Sequence, residues 1–165
     1  MRRRLLLFTV VPASALLALA ASSAAASGVL LVNESPSLPE GLYRRIERGA
    51  PRLGDVVALE PPAEARAYLV GLGMPRTVKL LKRVAATEGQ RVCAGGRDVH
   101  LGGRVLPARA SDRRGAALPR WTGCRALHRN EIFVVGDTAD SFDSRYFGPV
   151  RHAAVTGVYR EVLTW

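Results

Sequence analysis

Two serines, Ser35 and Ser37, bracket Pro36 in the stretch NESPSLPEGLYR (residues 33–44), and Pro39 and Gly41 follow at once. A turn this rich in proline and glycine holds a hydroxyl exposed and fixed, as the nucleophile of a hydrolase requires. A nucleophile also needs a base. The three histidines, His100, His128 and His152, lie apart, and nothing around them favours one over another. The lysines are more informative. Among 24 basic residues only Lys79 and Lys82, both within TVKLLKRV, are lysine. Arginine stays protonated in a protein, whereas a buried lysine can lose its proton and act as a base. In a strand, positions 79 and 82 face opposite sides. Lys82 then shares its face with Leu80, Val84 and Ala86, surroundings that depress an amine's pKa, while Lys79 alternates with Leu81 and Arg83. The candidate pair is Ser37 as nucleophile and Lys82 as base.

These groups sit in a chain of 165 residues, enough for one domain with a real core. At 48% hydrophobic and 23% charged it is not a disordered sequence. The net charge of +10 raises the question of nucleic acid. The arginines are scattered, however, with no basic helix and no interleaved aromatics, so no nucleic-acid partner is expected. Strands are predicted at Asp55–Leu59, stopped by Pro61-Pro62, in TVKLLKRVAAT, in EIFVVGD and in the closing AAVTGVYREVLTW. AEARAYLVGLG reads as one short helix ending at glycine. RVCAGGRDVHLGGRVLP reads as two or three short strands joined by Gly-Gly turns, and residues 108–123 have loop composition. The expected fold is mainly β with a single short helix.

From Leu5 to Val32 no residue is charged, and Arg2, Arg3 and Arg4 precede the run. It is longer than the roughly 20 residues that cross a bilayer. Residues 1–32 are therefore read as an export signal or a membrane anchor, with the arginines in the cytoplasm and residues 33–165 outside. Export makes a disulfide between Cys93 and Cys124 the expected state of the two cysteines, closing a small insertion around residues 93–124. No CxxC or HExxH spacing occurs, so neither a metal nor a cofactor is expected.

SPSLPEG, then LLKRVAATEGQRV, then VVGDTADSFDSRYFGPV together resemble the Ser–Lys peptidases of the signal peptidase I family. The form NxSxSxPxGxY of the first block is most similar to the TraF branch, the pilin-maturing peptidases of conjugative transfer. The resemblance implies a signal-peptidase-like β domain and a periplasmic site on the bacterial inner membrane. It implies Ser37 as nucleophile, Lys82 as general base, and Ser35 with the Ser37 backbone N–H as the oxyanion hole. It further implies Ser141 as the hydroxyl that orients the lysine amine, and Asp143 with Arg145 as a supporting ion pair. The partner it implies is an exported precursor, pilin-like or bearing a signal peptide. A general type I signal peptidase and a non-catalytic anchored assembly protein remain open beside the pilin-maturing reading. The sequence departs from the family where ATEGQRV replaces the usual Leu-Pro-Gly-Asp turn and where Leu38 replaces Met.

Overall fold

The structure, a computed structural model, describes residues 28–165. Its strands are β1 (Leu30–Asn33), β2 (Gly41–Ile46), β3 (Val56–Leu59), β4 (Leu80–Ala86), β5 (Arg91–Gly95), β6 (Asp98–Leu101), β7 (Arg104–Pro107), β8 (Gly123–Ala126), β9 (Glu131–Val135), β10 (Val150–Arg151) and β11 (Val155–Thr164). Two helices, α1 (Ala63–Gly71) and α2 (Ser144–Phe147), complete the set with a 3-10 turn at His152–Ala154. The mainly β expectation holds. The one-turn helix α2 is additional to the single helix expected from sequence. It forms because the Asp143 carboxylate accepts the backbone N–H of Arg145 and so caps a segment too short for helical periodicity to reveal.

The strands make two antiparallel sheets, one of seven strands in the order β1-β2-β11-β3-β4-β9-β10 and one of four in the order β7-β6-β5-β8. All four residues of β3 are buried, because this central strand is covered on both faces. Val57 and Leu59 join Val84, Ile132, Val134 and Val158 in one apolar cluster, whereas Val56 and Ala58 join Leu38, Tyr43, Leu81 and Tyr159 in another. That division follows the two-residue period of a strand. A third cluster, built on Val92, Leu101, Leu127, Phe133 and Val135, seats the small sheet against the end of the large one.

Within β4, Leu80, Lys82 and Val84 follow the predicted face, but Ala86 does not. The pairing with β9 shifts register between Val84 and Ala86, and this bulge turns Ala86 into the cluster beneath the small sheet. Lys79 precedes the strand and is exposed. The hairpin from β6 to β7 turns on Gly102 and Gly103, with φ of +52° and +79°. Two successive positive φ values make the type I′ turn that matches strand twist, and glycine adopts them without strain. Cys93 and Cys124 are register partners of β5 and β8 and are joined by a disulfide. The expected insertion around 93–124 therefore contains β6, β7 and one long loop. Residues 1–27, with the three arginines and most of the uncharged run, lie outside the described residues, whereas Leu30–Val32 at the end of the run belong to β1. Among the described residues no helix is long and apolar enough to cross a membrane.

Candidate active site

The turn between β1 and β2 is held by Asn33, which is 5% exposed. Its Nδ2 donates to the carbonyls of Ser35 (2.9 Å), Leu38 (3.1 Å) and Pro39 (3.0 Å), and its Oδ1 accepts the Ser35 N–H at 3.2 Å. A buried side-chain amide with every polar atom engaged fixes the path of a turn that has no ladder hydrogen bonds of its own. The Tyr43 hydroxyl adds a 2.7 Å bond to the Pro39 carbonyl, and Leu38 is sunk into the adjoining apolar cluster. Sequence reasoning assigned Asn33 no role. The signal was present, however, since Asn33 opens the motif and a polar residue at the end of an apolar run needs partners.

The constraint delivers Ser37 to Lys82. The Lys82 Nζ donates to Ser37 Oγ at 2.8 Å, and the two residues are 4% and 6% exposed. Ser35 Oγ lies 3.1 Å from Ser37 Oγ and accepts the Ser37 backbone N–H over a long 3.4 Å. Burial pulls the Lys82 amine down from its ordinary 10.5 to about 8; the nearby carboxylates of Asp143 and Asp137 oppose the shift and Arg145 adds to it. The amine lies opposite Val57 in the β3–β4 register, and no carboxylate is bonded to it. Desolvation therefore dominates.

A second turn, from Gly136 to Asp143 after β9, closes over the pair. The Asp137 N–H donates to the Ser37 carbonyl at 2.7 Å. The Asp137 carboxylate takes a two-pronged contact from Arg83, with Nε at 3.1 Å and Nη2 at 2.9 Å. The strand carrying the amine thus also anchors the turn that binds the Ser37 carbonyl. Gly136 is tightly enclosed. A Cβ there would overlap Ser141 Oγ and stand 2.8 Å from the Ser37 carbonyl oxygen, so glycine is required by close approach. Ser141 is buried at this spot, and its Oγ has no hydrogen-bond partner. The structure brings it to the site, while the hydrogen bond of the Lys82 amine goes to Ser37.

Asp143 and Arg145 form a buried ion pair with 2.8 and 2.9 Å contacts and hydrogen-bond neither Ser37 nor Lys82. Asp143 also accepts the Gly136 N–H at 2.8 Å. Arg145 donates to the carbonyls of Thr138, Ala139 and Ser141, and to that of Pro107 in the small sheet. The pair thereby sets the shape of the Gly136–Asp143 turn and ties it to the second sheet. The unusual ATEGQRV segment folds as a turn in which Gly89 takes φ of +80°, the Gln90 N–H bonds Thr87 O at 3.1 Å, and the Gln90 side chain accepts the Thr87 N–H at 2.8 Å.

A cleft of about 230 Å³ opens onto Ser35, Ser37 and Lys82, with Leu31, Val32, Met74 and Val78 among its walls and Lys79 at its edge. On the cleft side, Leu80 to Lys82 have no strand beside them, because β9 pairs with β4 only from Arg83 onward. Among the described residues no cluster of His, Cys, Asp and Glu is arranged to hold a metal.

Residues 2–165 match the family described as signal peptidase, peptidase S26. A plasmid transfer protein TraF of Escherichia coli is 35% identical over 151 residues, covering 81% of this chain and 82% of that protein. A conjugal transfer protein TraF of Agrobacterium tumefaciens is 36% identical over 151 residues, covering 84% and 85%. The crystal structure of a signal peptidase I from Enterococcus faecalis superposes with a TM-score of 0.39 at 20% identity, over 68% of this chain and 98% of that one; a score this low adds no weight. With the family matched along almost its whole length, the chain belongs to the signal peptidase family, peptidase S26.

Proposed function

We propose that this chain is a membrane-tethered Ser–Lys endopeptidase that cuts exported precursors after small residues, and that its precursor is a pilin-like subunit of a conjugative transfer system. The observation that carries the reading is the 2.8 Å contact between a buried serine hydroxyl and a buried amine of lowered pKa. In the proposed cycle neutral Lys82 accepts the Ser37 hydroxyl proton as Oγ attacks the scissile carbonyl. Charge developing on the carbonyl oxygen is met by the Ser37 backbone N–H and the Ser35 hydroxyl, once the carbonyl oxygen displaces the long contact between those two groups. The Lys82 ammonium returns the proton to the leaving amine. Water or an amine of the precursor itself then attacks the acyl-enzyme, giving a linear or a cyclised product. The free edge at Leu80–Lys82 suits an extended substrate segment added as a strand, and the modest cleft suits small side chains on the acyl side.

The tether in this reading is the uncharged run that follows Arg2, Arg3 and Arg4 and precedes β1, and the arginines ahead of it favour a catalytic domain on the periplasmic side of the inner membrane. The conjugative role is supported by the relatives, which are named for plasmid and conjugal transfer. The second reading, a general type I signal peptidase, is favoured by the family's own description. One experiment separates them. Full-length protein in detergent micelles is incubated with a propilin from the same transfer system and, separately, with a secreted preprotein. Intact masses then show which is cut, and a product lighter by one water than the linear fragment marks cyclisation. Cleavage of the preprotein alone selects the second reading, and cleavage of both substrates by Ser37→Ala refutes the serine chemistry.

A further inference from the structure

On the other side of the Ser35–Pro36–Ser37 turn lies a second cavity of about 330 Å³ that shares no lining residue with the cleft holding Lys82. The two cavities adjoin at this turn, since Pro36 lines one and its neighbours Ser35 and Ser37 line the other, and again after α1, where Leu72 lines one and Met74 the other. A chain lying along Leu80–Lys82 and past Ser37 Oγ can continue over Pro36 into the second cavity. Its inner wall is aromatic. Phe142 packs between Tyr68 of α1 and Tyr146 of α2, with ring centroids 4.7 Å and 5.5 Å away. Leu72 and Leu118 complete an apolar floor.

Polar contacts among the lining residues fix the wall. The Tyr68 hydroxyl donates to Asp112 at 3.0 Å, and Asp112 also accepts the N–H groups of Arg114 and Ala116 at 2.8 and 2.9 Å. The Tyr146 hydroxyl accepts the Arg109 N–H at 3.1 Å. Both carboxylates of the rim are thus occupied, because Asp140 pairs with Arg109 at 2.8 Å and with Arg113. Arg109, Arg113 and Arg114 outnumber Asp112 and Asp140, so the rim is net positive.

We infer that this cavity is the leaving-side subsite, which receives a bulky apolar side chain from the precursor segment immediately after the scissile bond and disfavours a basic one. The inference rests on the peptidase reading above. The aromatic floor offers apolar burial, the arginine rim repels lysine, and the position beyond Ser37 makes the acyl side an unsuitable occupant.

The test uses the full-length protein and peptides spanning the cleavage site that the product masses define. The acyl side is held constant, and leucine, alanine or lysine is placed at each of the first three leaving-side positions. A p-nitrophenyl ester of the same acyl segment, lacking any leaving-side residue, is run beside them. At one position leucine should exceed alanine in kcat/KM by at least about tenfold, as expected for a side chain entering an apolar pocket, and lysine should be poorest. Tyr68→Ala should collapse that leucine-to-alanine ratio towards one. Ester hydrolysis with equal kcat/KM for all peptides overturns the subsite and leaves the peptidase reading standing. No hydrolysis of ester or peptide overturns both. A ratio retained in Tyr68→Ala also refutes the assignment. Because the wild-type series alone can refute it, the test does not depend on that variant folding.

Discussion

If Lys82 is the base, the pH dependence of acylation follows from its burial. An amine with a pKa of about 8 is half neutral at pH 8. It is about one-tenth neutral at pH 7 and about one-hundredth at pH 6, whereas an unperturbed lysine is only about 0.03% neutral at pH 7. Burial thus enriches the reactive form at pH 7 by roughly 300-fold. Measured as kcat/KM, which reports the free enzyme, activity should fall about tenfold per pH unit below 8 and level off above it. Lys82→Arg keeps a cation at the same place but has no accessible neutral form, so it should be as inactive as Lys82→Ala at every pH. Lys79→Arg, at the exposed cleft edge, should keep the inflection near 8. A flat profile between pH 6 and 8, an inflection near the free lysine value, or an active Lys82→Arg enzyme would refute base catalysis by this amine.

The same burial has a stability consequence of definite sign. The folded pKa lies below the unfolded one, so between about pH 8 and 10.5 the folded state binds fewer protons and stability rises with pH. Below pH 8 the full penalty applies, about 3 kcal/mol at 1.36 kcal/mol per unit. Lys82→Met should therefore stabilise the fold by up to that amount at pH 7 and by little above pH 10.5, as read by urea unfolding; a destabilised Lys82→Met would refute the burial argument. Ser37→Ala should abolish cleavage with unfolding unchanged, whereas Ser35→Ala should lose on the order of 10²–10³ in rate because one oxyanion donor remains; equal turnover in either would remove its role. Gly136→Ala must displace Ser141 or the Ser37 carbonyl, so it should cost about 1–3 kcal/mol and most of the activity; wild-type melting and turnover would contradict that enclosure. Alkylation of protein isolated without reductant should find neither Cys93 nor Cys124 reactive, and reduction should lower stability by about 3–4 kcal/mol for a loop of this length.

Local patterning was enough to find β3 to β7, β9 and β11, because a two-residue period and glycine or proline punctuation are properties of neighbours, whereas β1, β2, β8 and β10 were not expected from the sequence. The Gly102-Gly103 hairpin and the buried β9 were legible in this way. So were the two hydroxyls of the Ser-Pro turn and the scarcity of lysine that marks Lys82. The face assigned to Ala86 failed where a bulge intervened, since a register shift is set by the partner strand β9 and leaves no trace in the period of β4. Helix α2 was missed because four residues are too few to display a helical repeat.

What only the tertiary structure decided is which groups meet. Ser37 and Lys82 are 45 residues apart, and their contact depends on the β3–β4 register, on Asn33 pinning its turn, and on Asp137 catching the Ser37 carbonyl. The lowered pKa is likewise nonlocal: the spacing in TVKLLKRV marks an apolar face for Lys82, but the desolvation itself arises from the covering of Lys82 by other segments. The same holds for Gly136, whose need for a bare Cα comes from Ser141 and the Ser37 carbonyl pressing on it from elsewhere in the chain. Residue types and strand periods were determined by the sequence alone, because they depend on covalent neighbours. Distances, desolvation and close approach were decided by packing, because they depend on segments that only folding brings together.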